Sequence, residues 1–370
     1  MVQSRKIFFI GICFWAYVLG ILIGFYGSWT EIFLMSWLGF GAALFCMVQK
    51  KYRLSFVISS CIMGICLMQG HQWLYQRQRV LIAGAEKIRG SIVEIKSIQD
   101  KKWLQLYVVN IESIDDQTLW MRGRLQCTIS KSAPYQEGDL ILITKESKKI
   151  RLHQNKEFDL YLAKEQLWDW LYVKPENCLL IEHNQSKTES YFFQIKQNVK
   201  TTYKSLQQPA RTLYGTVFLG IDKVLPQDPL KHVFNYWGII HYLARSGLHI
   251  MLFVFLWRTV FYYLCGRRRS WIYFVAPFVC IYVLVTPGSI SFMRGVWSFL
   301  LLMIALLIKR PYHLPHLLVV LATLFLLYNP YTLFFLDFQL SFSLTYTLLL
   351  LQEAFYAQYI QNKIKKTVYQ

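Results

Sequence analysis

The sequence sets a few polar side chains at helical spacing inside otherwise apolar runs. In the segment His241 to His249, His241, Arg245 and His249 recur every fourth position and share one helix face. Ser246 and Gly247 sit inside that segment, where a helix can break or approach a neighbour closely. Asp337, Ser341 and Thr345 form a second stripe of the same spacing, with Gln339 nearby, and Arg294 lies one turn into another apolar run. A charged side chain at the centre of a membrane helix costs about 2.5–3.5 kcal/mol, so such residues usually face a bundle interior or a watery path. Two chemistries suit them: hydrogen bonding between helices, or the lining of a hydrophilic substrate path. Arg294 and Asp337 fall at similar depth, so an ion pair between them is geometrically open.

Other chemistries lack their residues. There is no H-x-H-x-D-H, no H-E-x-x-H and no partnered C-x-x-C, so no metal-hydrolase site is visible and no metal or cofactor is expected. No glycine-rich phosphate loop ends in Gly-Lys-Ser or Gly-Lys-Thr, so transport would not be powered by an ATPase in this chain. Ser246 and His249 could pair as nucleophile and base, but no third orienting group is evident. The chain therefore does not read as an enzyme.

The elements that must position these residues are membrane helices. Of 370 residues, 55% are hydrophobic and only 16% charged, against about a quarter charged in ordinary soluble domains. Ile7 to Gly27 carries no charge and is long enough to cross a hydrocarbon core of about 30 Å. It is too long for a signal peptide, and a second apolar stretch, Ile32 to Val48, follows in place of a cleavage site.

Apolar runs at about 7 to 27, 30 to 49, 54 to 75, 237 to 264, 271 to 287, 290 to 308, 312 to 329 and 338 to 359 predict eight crossings. Basic clusters orient them: Arg5 and Lys6, Lys50 to Arg53, Arg267 to Arg269, Lys309 and Arg310, and Lys363 to Lys366 all fall on one side. That side is cytoplasmic by the positive-inside rule, which puts both termini inside. The net charge of +19 thus reflects topology first, and is not by itself a sign of nucleic-acid binding.

The expected organisation is three helices over 1–75, an external domain over 76–187, amphipathic helices on the membrane surface over 188–235, and about five helices over 236–370. Within the insert, Ser91 to Lys96, Trp103 to Ile111, Leu119 to Ile129 and Leu140 to Thr144 predict strands separated by turns such as Asp115-Asp116 and Glu137-Gly138-Asp139. A helix at 158–168 and a last strand at 171–181 would complete a small β-barrel. Cys127 and Cys178 are the two cysteines of this domain; an oxidising exterior permits a disulfide between them, and two free thiols are the alternative.

Three ordered motifs resemble the ComEC competence family, membrane proteins implicated in internalising transforming single-stranded DNA. They are Phe218 to Pro226 followed by Phe234 to Ile250, then Ser291 to Val296, then Asn329 to Phe342. Arg89 to Ile95, Glu137 to Thr144 and Asn155 to Val173 resemble that family's external OB-fold domain. The resemblance implies that His241, Ser246, Gly247, His249, Arg294, Asp337, Gln339 and Ser341 occupy motif positions of a transport pathway, with Arg245 standing where an aliphatic residue is usual.

It also implies a multi-pass protein of the cytoplasmic membrane that contacts lipid and single-stranded DNA. A separate nuclease, a cytoplasmic DNA-translocating ATPase and further copies of the chain are candidate partners. Family members commonly continue into a metallo-β-lactamase-like nuclease domain, which this sequence lacks, so nuclease activity is not expected here. In the external domain, Trp103, Tyr107 and Trp120 could stack bases while Lys145, Lys148, Lys149 and Arg151 track phosphates. Residues 88–183 hold 14 basic and 14 acidic side chains, so binding there would need a local patch. The rival readings are an OB-fold scaffold of the cell envelope that recognises another ligand, and a truncated, inactive family member.

Overall fold

The 25-residue helix α1, Val2–Tyr26, opens the chain. The computed structural model describes residues 2–27, 36, 38–43, 46, 52–97, 104–130, 135, 138–144, 156–183, 195, 198–199, 201–202, 205–207, 210–215, 233, 236–237, 247–265, 271–285, 290–309 and 313–368. The chain divides into two compact units: Trp15–Lys187 with Asn329–Thr332, and Met1–Phe14 with Thr188–Tyr328 and Leu333–Gln370.

In the first unit α1 packs on α2, Tyr52–Gly84. Small residues allow a close approach: a Cβ on Gly20 would run into the Cys61 carbonyl, and one on Gly64 into the Tyr17 carbonyl. The last carbonyls of α1 have no partner within their own helix. The Gln69 amide donates to the Gly24 carbonyl at 2.5 Å, and Gln72 to that of Phe25 at 3.5 Å. Such bonds matter where no water is available to replace them.

Helix α2 runs well past its expected end at 75. Gln76 to Arg79 are good helix formers, and nothing breaks the pattern before Gly84. At about 50 Å it exceeds the hydrocarbon thickness, so its last turns lie beyond it. There Arg79 pairs with Asp159 at 2.9 Å and lies over the Tyr75 ring, and the Tyr75 hydroxyl donates to the Asp159 carbonyl at 3.4 Å.

Six strands follow: β1 Lys87–Ser97, β2 Leu104–Ile114, β3 Gln117–Ser130, β4 Asp139–Thr144, β5 Leu167–Tyr172 and β6 Cys178–His183. Helix α3, Lys156–Lys164, comes between β4 and β5. The sheet order is β5-β3-β2-β1-β4-β6, with β3 and β5 parallel and the other pairs antiparallel. The β2–β3 turn is built on Asp115 and Asp116, both at positive φ, and the Asp115 carboxylate accepts from the Glu86 and Lys87 N–H groups at 2.8 and 2.6 Å. Ile92, Val109, Ile111, Leu125, Ile129, Ile141 and Val173 fill the core. Gly123 is required beside it, because a Cβ there would occupy the space of the Trp168 indole.

Two expectations are corrected. The strand expected at 171–181 is two strands, because Pro175 opens a 3-10 turn over Pro175–Asn177 that lifts the chain from one sheet edge to the other. The expected barrel is an open sheet. Closure would need β5 and β6 to pair, and they remain its two free edges. The link from Tyr172 to Cys178 can hold only those two strand ends within about 20 Å of each other.

The second unit contains a short helix α4, Ala210–Leu213, then α5 Gly247–Cys265, α6 Trp271–Val285, α7 Ile290–Leu307, α8 Leu314–Tyr328 and α9 Leu336–Val368. Helices α5, α6 and α7 share a core of Ile250, Val275, Val279, Phe292, Val296 and Met303. Among the described residues three helices, α1, α2 and α7, are long and apolar enough to cross a membrane; α5 and α8 are apolar but shorter. The crossing expected at 30–49 and the surface helices expected over 188–225 lie mostly outside the described residues.

Candidate functional site

Gly247, Arg294, Gly295 and Ser341, one or two residues from each motif, come together within the second unit. Helices α5 and α7 touch backbone to backbone at Gly247 and Gly295: a Cβ on Gly295 would stand 2.9 Å from the Gly247 Cα, and one on Gly247 would stand 3.2 Å from the Ser291 carbonyl oxygen. Both glycines lie in apolar helices, where small residues let backbones come this close. Arg294 precedes Gly295, so the crossing sets its depth and direction.

From α7, Arg294 reaches α9. Its Nη1 donates to the Ser341 carbonyl and to the Thr345 hydroxyl, and its guanidinium lies 5.9 Å over the Phe342 ring. The Thr345 hydroxyl in turn donates to the same Ser341 carbonyl at 2.8 Å. Phe342 is itself held by Phe338 at 4.5 Å and Phe325 at 5.7 Å. The cation is thus fixed at one edge by uncharged oxygens and on one face by an aromatic ring. Its other nitrogen, Nη2, lies on the α5 side, 3.5 Å from where a Gly247 Cβ would be.

Arg294 therefore meets the polar stripe of α9 at its second and third members rather than at Asp337. The Asp337 side chain, at the first turn of α9, accepts from the Phe338 N–H at 3.1 Å. A cation held by neutral dipoles keeps its charge for another anion, whereas a salt bridge would cancel most of it.

The other expected residues divide clearly. Gly247 is buried at the crossing and His249 lies half-buried two residues further along α5. Gln339 is exposed and donates to the Leu333 carbonyl at 2.8 Å, ordering the turn before α9. The Ser341 side-chain oxygen is buried and has no hydrogen-bond partner among the described residues. His241, Arg245 and Ser246 lie outside the described residues, as do Trp103, Lys145, Lys148, Lys149 and Arg151. Thr345, Phe342 and Gly295 complete the Arg294 site. Of these, Thr345 was visible as the third member of its stripe, but nothing in spacing alone marks Phe342 or Gly295 as contacts.

Tyr107 is corrected. It is fully buried in the sheet core, donates to Gln105 Oε1 at 2.6 Å and packs edge-on against Tyr135. Its ring cannot stack a base.

Cys127 and Cys178 are both free thiols, buried in the same core. Burial pushes both thiols up; a hydrogen bond from Tyr135 offsets part of the effect at Cys178. Thiolate is then scarce at pH 8, so neither should react with iodoacetamide in the folded protein, and both should react once it is unfolded without reductant. Mass spectrometry reads the adducts, and two cysteines still unlabelled after unfolding would establish the disulfide instead.

The membrane-capable helices α1, α2 and α7 support a membrane location for the chain. Residues 218–369 match the model of the Competence protein family. ComE operon protein 3 of Bacillus subtilis (strain 168) is 22% identical over 265 residues, which is 70% of this chain and 32% of that relative. No solved structure matches. The helical part of the chain is thus similar to the Competence protein family, and the chain spans about a third of the length of the curated relative it matches.

Proposed function

We propose that this chain acts in DNA uptake during natural transformation, as a channel component that conducts single-stranded DNA across the cytoplasmic membrane. The observation that carries the reading is Arg294, fixed by uncharged groups where three motifs of the sequence converge. A phosphodiester crossing an apolar bundle has lost its water, and a pre-oriented guanidinium replaces part of that solvation without becoming a permanent trap. Eight crossings with both termini inside and the sheet domain outside are the topology this reading needs. Ser341 and Thr345 then supply small dipoles along one face of α9, with the Asp337 carboxylate at its start.

The external sheet meets the strand first in this scheme. Its balance of 14 basic and 14 acidic residues over 88–183 excludes a broad electrostatic attraction, so capture depends on a local patch such as Lys145 to Arg151. Neither unit is assigned catalysis or a cofactor. The reading calls for a nuclease to degrade the other strand and a cytoplasmic ATPase to supply driving force.

Deleting the gene in a competent host and restoring it from a plasmid tests the reading. Transformation should fall at least a hundredfold and return with the wild-type copy. Unchanged transformation in the deleted strain would move the assignment to an envelope scaffold.

A further inference from the structure

A cavity of about 380 Å³ opens between the start of α8 and the middle of α9. His313, just before α8, and Leu314 and Pro315 on α8 line one side, and Leu349, Gln352, Glu353 and Tyr356 line the other from α9. The four α9 positions recur at three- and four-residue intervals, which places them on one helix face. Three of the lining residues are apolar, while the others offer an imidazole, an amide, a phenol and one carboxylate.

Its depth follows from the helices. No charged residue occurs on α9 between Asp337 and Glu353, a rise of about 24 Å, so Glu353 marks the end of the apolar stretch. The other two helices turn polar at the same end: α7 stops before Lys309, and α8 begins after His313. The cavity therefore sits where hydrocarbon meets headgroups, given the membrane reading of this unit on which the inference rests. Glu353 has no ion-pair or hydrogen-bond partner among the described residues. A carboxylate at the rim of an apolar cleft, beside neutral donors, is complementary to a cation carried next to a phosphate.

We propose that this cavity binds the headgroup of a zwitterionic phospholipid, phosphatidylethanolamine. Its ammonium bonds to the Glu353 carboxylate, its phosphodiester accepts from Tyr356, Gln352 and His313, and its glycerol backbone and upper acyl chain lie against Leu349 and Pro315. An anionic lipid would meet Glu353 with like charge, and phosphatidylcholine would offer no N–H to the carboxylate. The bound lipid wedges α8 against α9 at the end opposite Arg294, and so steadies the helix that carries Ser341 and Thr345.

Native mass spectrometry of the full chain in detergent, offered equal amounts of dioleoyl phosphatidylethanolamine, phosphatidylglycerol and phosphatidylcholine, tests this without any DNA. One phosphatidylethanolamine should be retained per chain, about tenfold above either competitor, and soluble glycerophosphoethanolamine should displace it at high concentration. Glu353→Gln should lower retention about tenfold, and Leu349→Trp, which fills the cavity, should abolish it; Glu353→Asp should recover part of the binding. Retention at the wild-type level in either of the first two variants, or equal binding of the three lipids, overturns the proposal. A lipid site lost without loss of transformation, or the reverse, separates this inference from the uptake function.

Discussion

Arg294→Ala should reduce transformation by roughly thirtyfold or more while the protein accumulates normally. The arginine makes two charge-assisted hydrogen bonds to α9 and covers the Phe342 ring, and the proposed transport gives it a third partner, a passing phosphate. Truncating one member of a desolvated charged contact typically costs about 2–5 kcal/mol, and 1.4 kcal/mol corresponds to a factor of ten. Lysine should recover only part of the loss. It keeps the charge, but it cannot hold two oxygens from one planar fork and still present a donor edge towards α5. Thr345→Val removes one of the fixing bonds and should give a milder defect of the same kind. Wild-type transformation by Arg294→Ala at matched protein levels would remove the residue from the pathway. A defect fully restored by the additional change Thr345→Val would instead mean that its role is helix packing.

The second large effect lies one residue away. Gly295→Val should lower the stability of the purified protein by about 1–3 kcal/mol, because its Cβ would stand 2.9 Å from the Gly247 Cα, a backbone atom that cannot rotate away. The helices must separate, and Arg294, on the same turn, is carried off Ser341 and Thr345. Gly295→Ala already places that Cβ and should show a smaller loss in the same direction. Gly70 serves as the control, because no atom lies within 4 Å of where its Cβ would be, so Gly70→Ala should be neutral or slightly stabilising. Thermal unfolding followed by fluorescence-detected gel filtration in detergent compares the three. Equal stability of Gly295→Val and Gly70→Ala would refute the close crossing.

Much of this arrangement was legible in the residues themselves. Apolar runs of helical length marked α5 to α9, since hydrophobicity and helical periodicity are local properties of the chain. The Asp115-Asp116 turn was legible for a similar reason, because short acidic side chains tolerate positive φ. Polar residues in apolar surroundings singled out Arg294 and the stripe on α9, because a charge in that setting is too costly to be incidental.

What the sequence by itself determined is therefore the inventory: which segments are apolar, which polar residues they carry, and the family those motifs resemble. Pairing was decided only in three dimensions. Arg294 could have met Asp337, Ser341 or Thr345, which lie on one helix face, and the Gly247–Gly295 contact brings it to the latter two. Tyr107 read as an aromatic that could stack a base, yet strand alternation turns it into the core. The barrel remained open because Pro175 sends β5 and β6 to opposite edges, a choice between long-range ladders. Local preference selects elements one at a time, while contacts between distant residues depend on how all of them pack together.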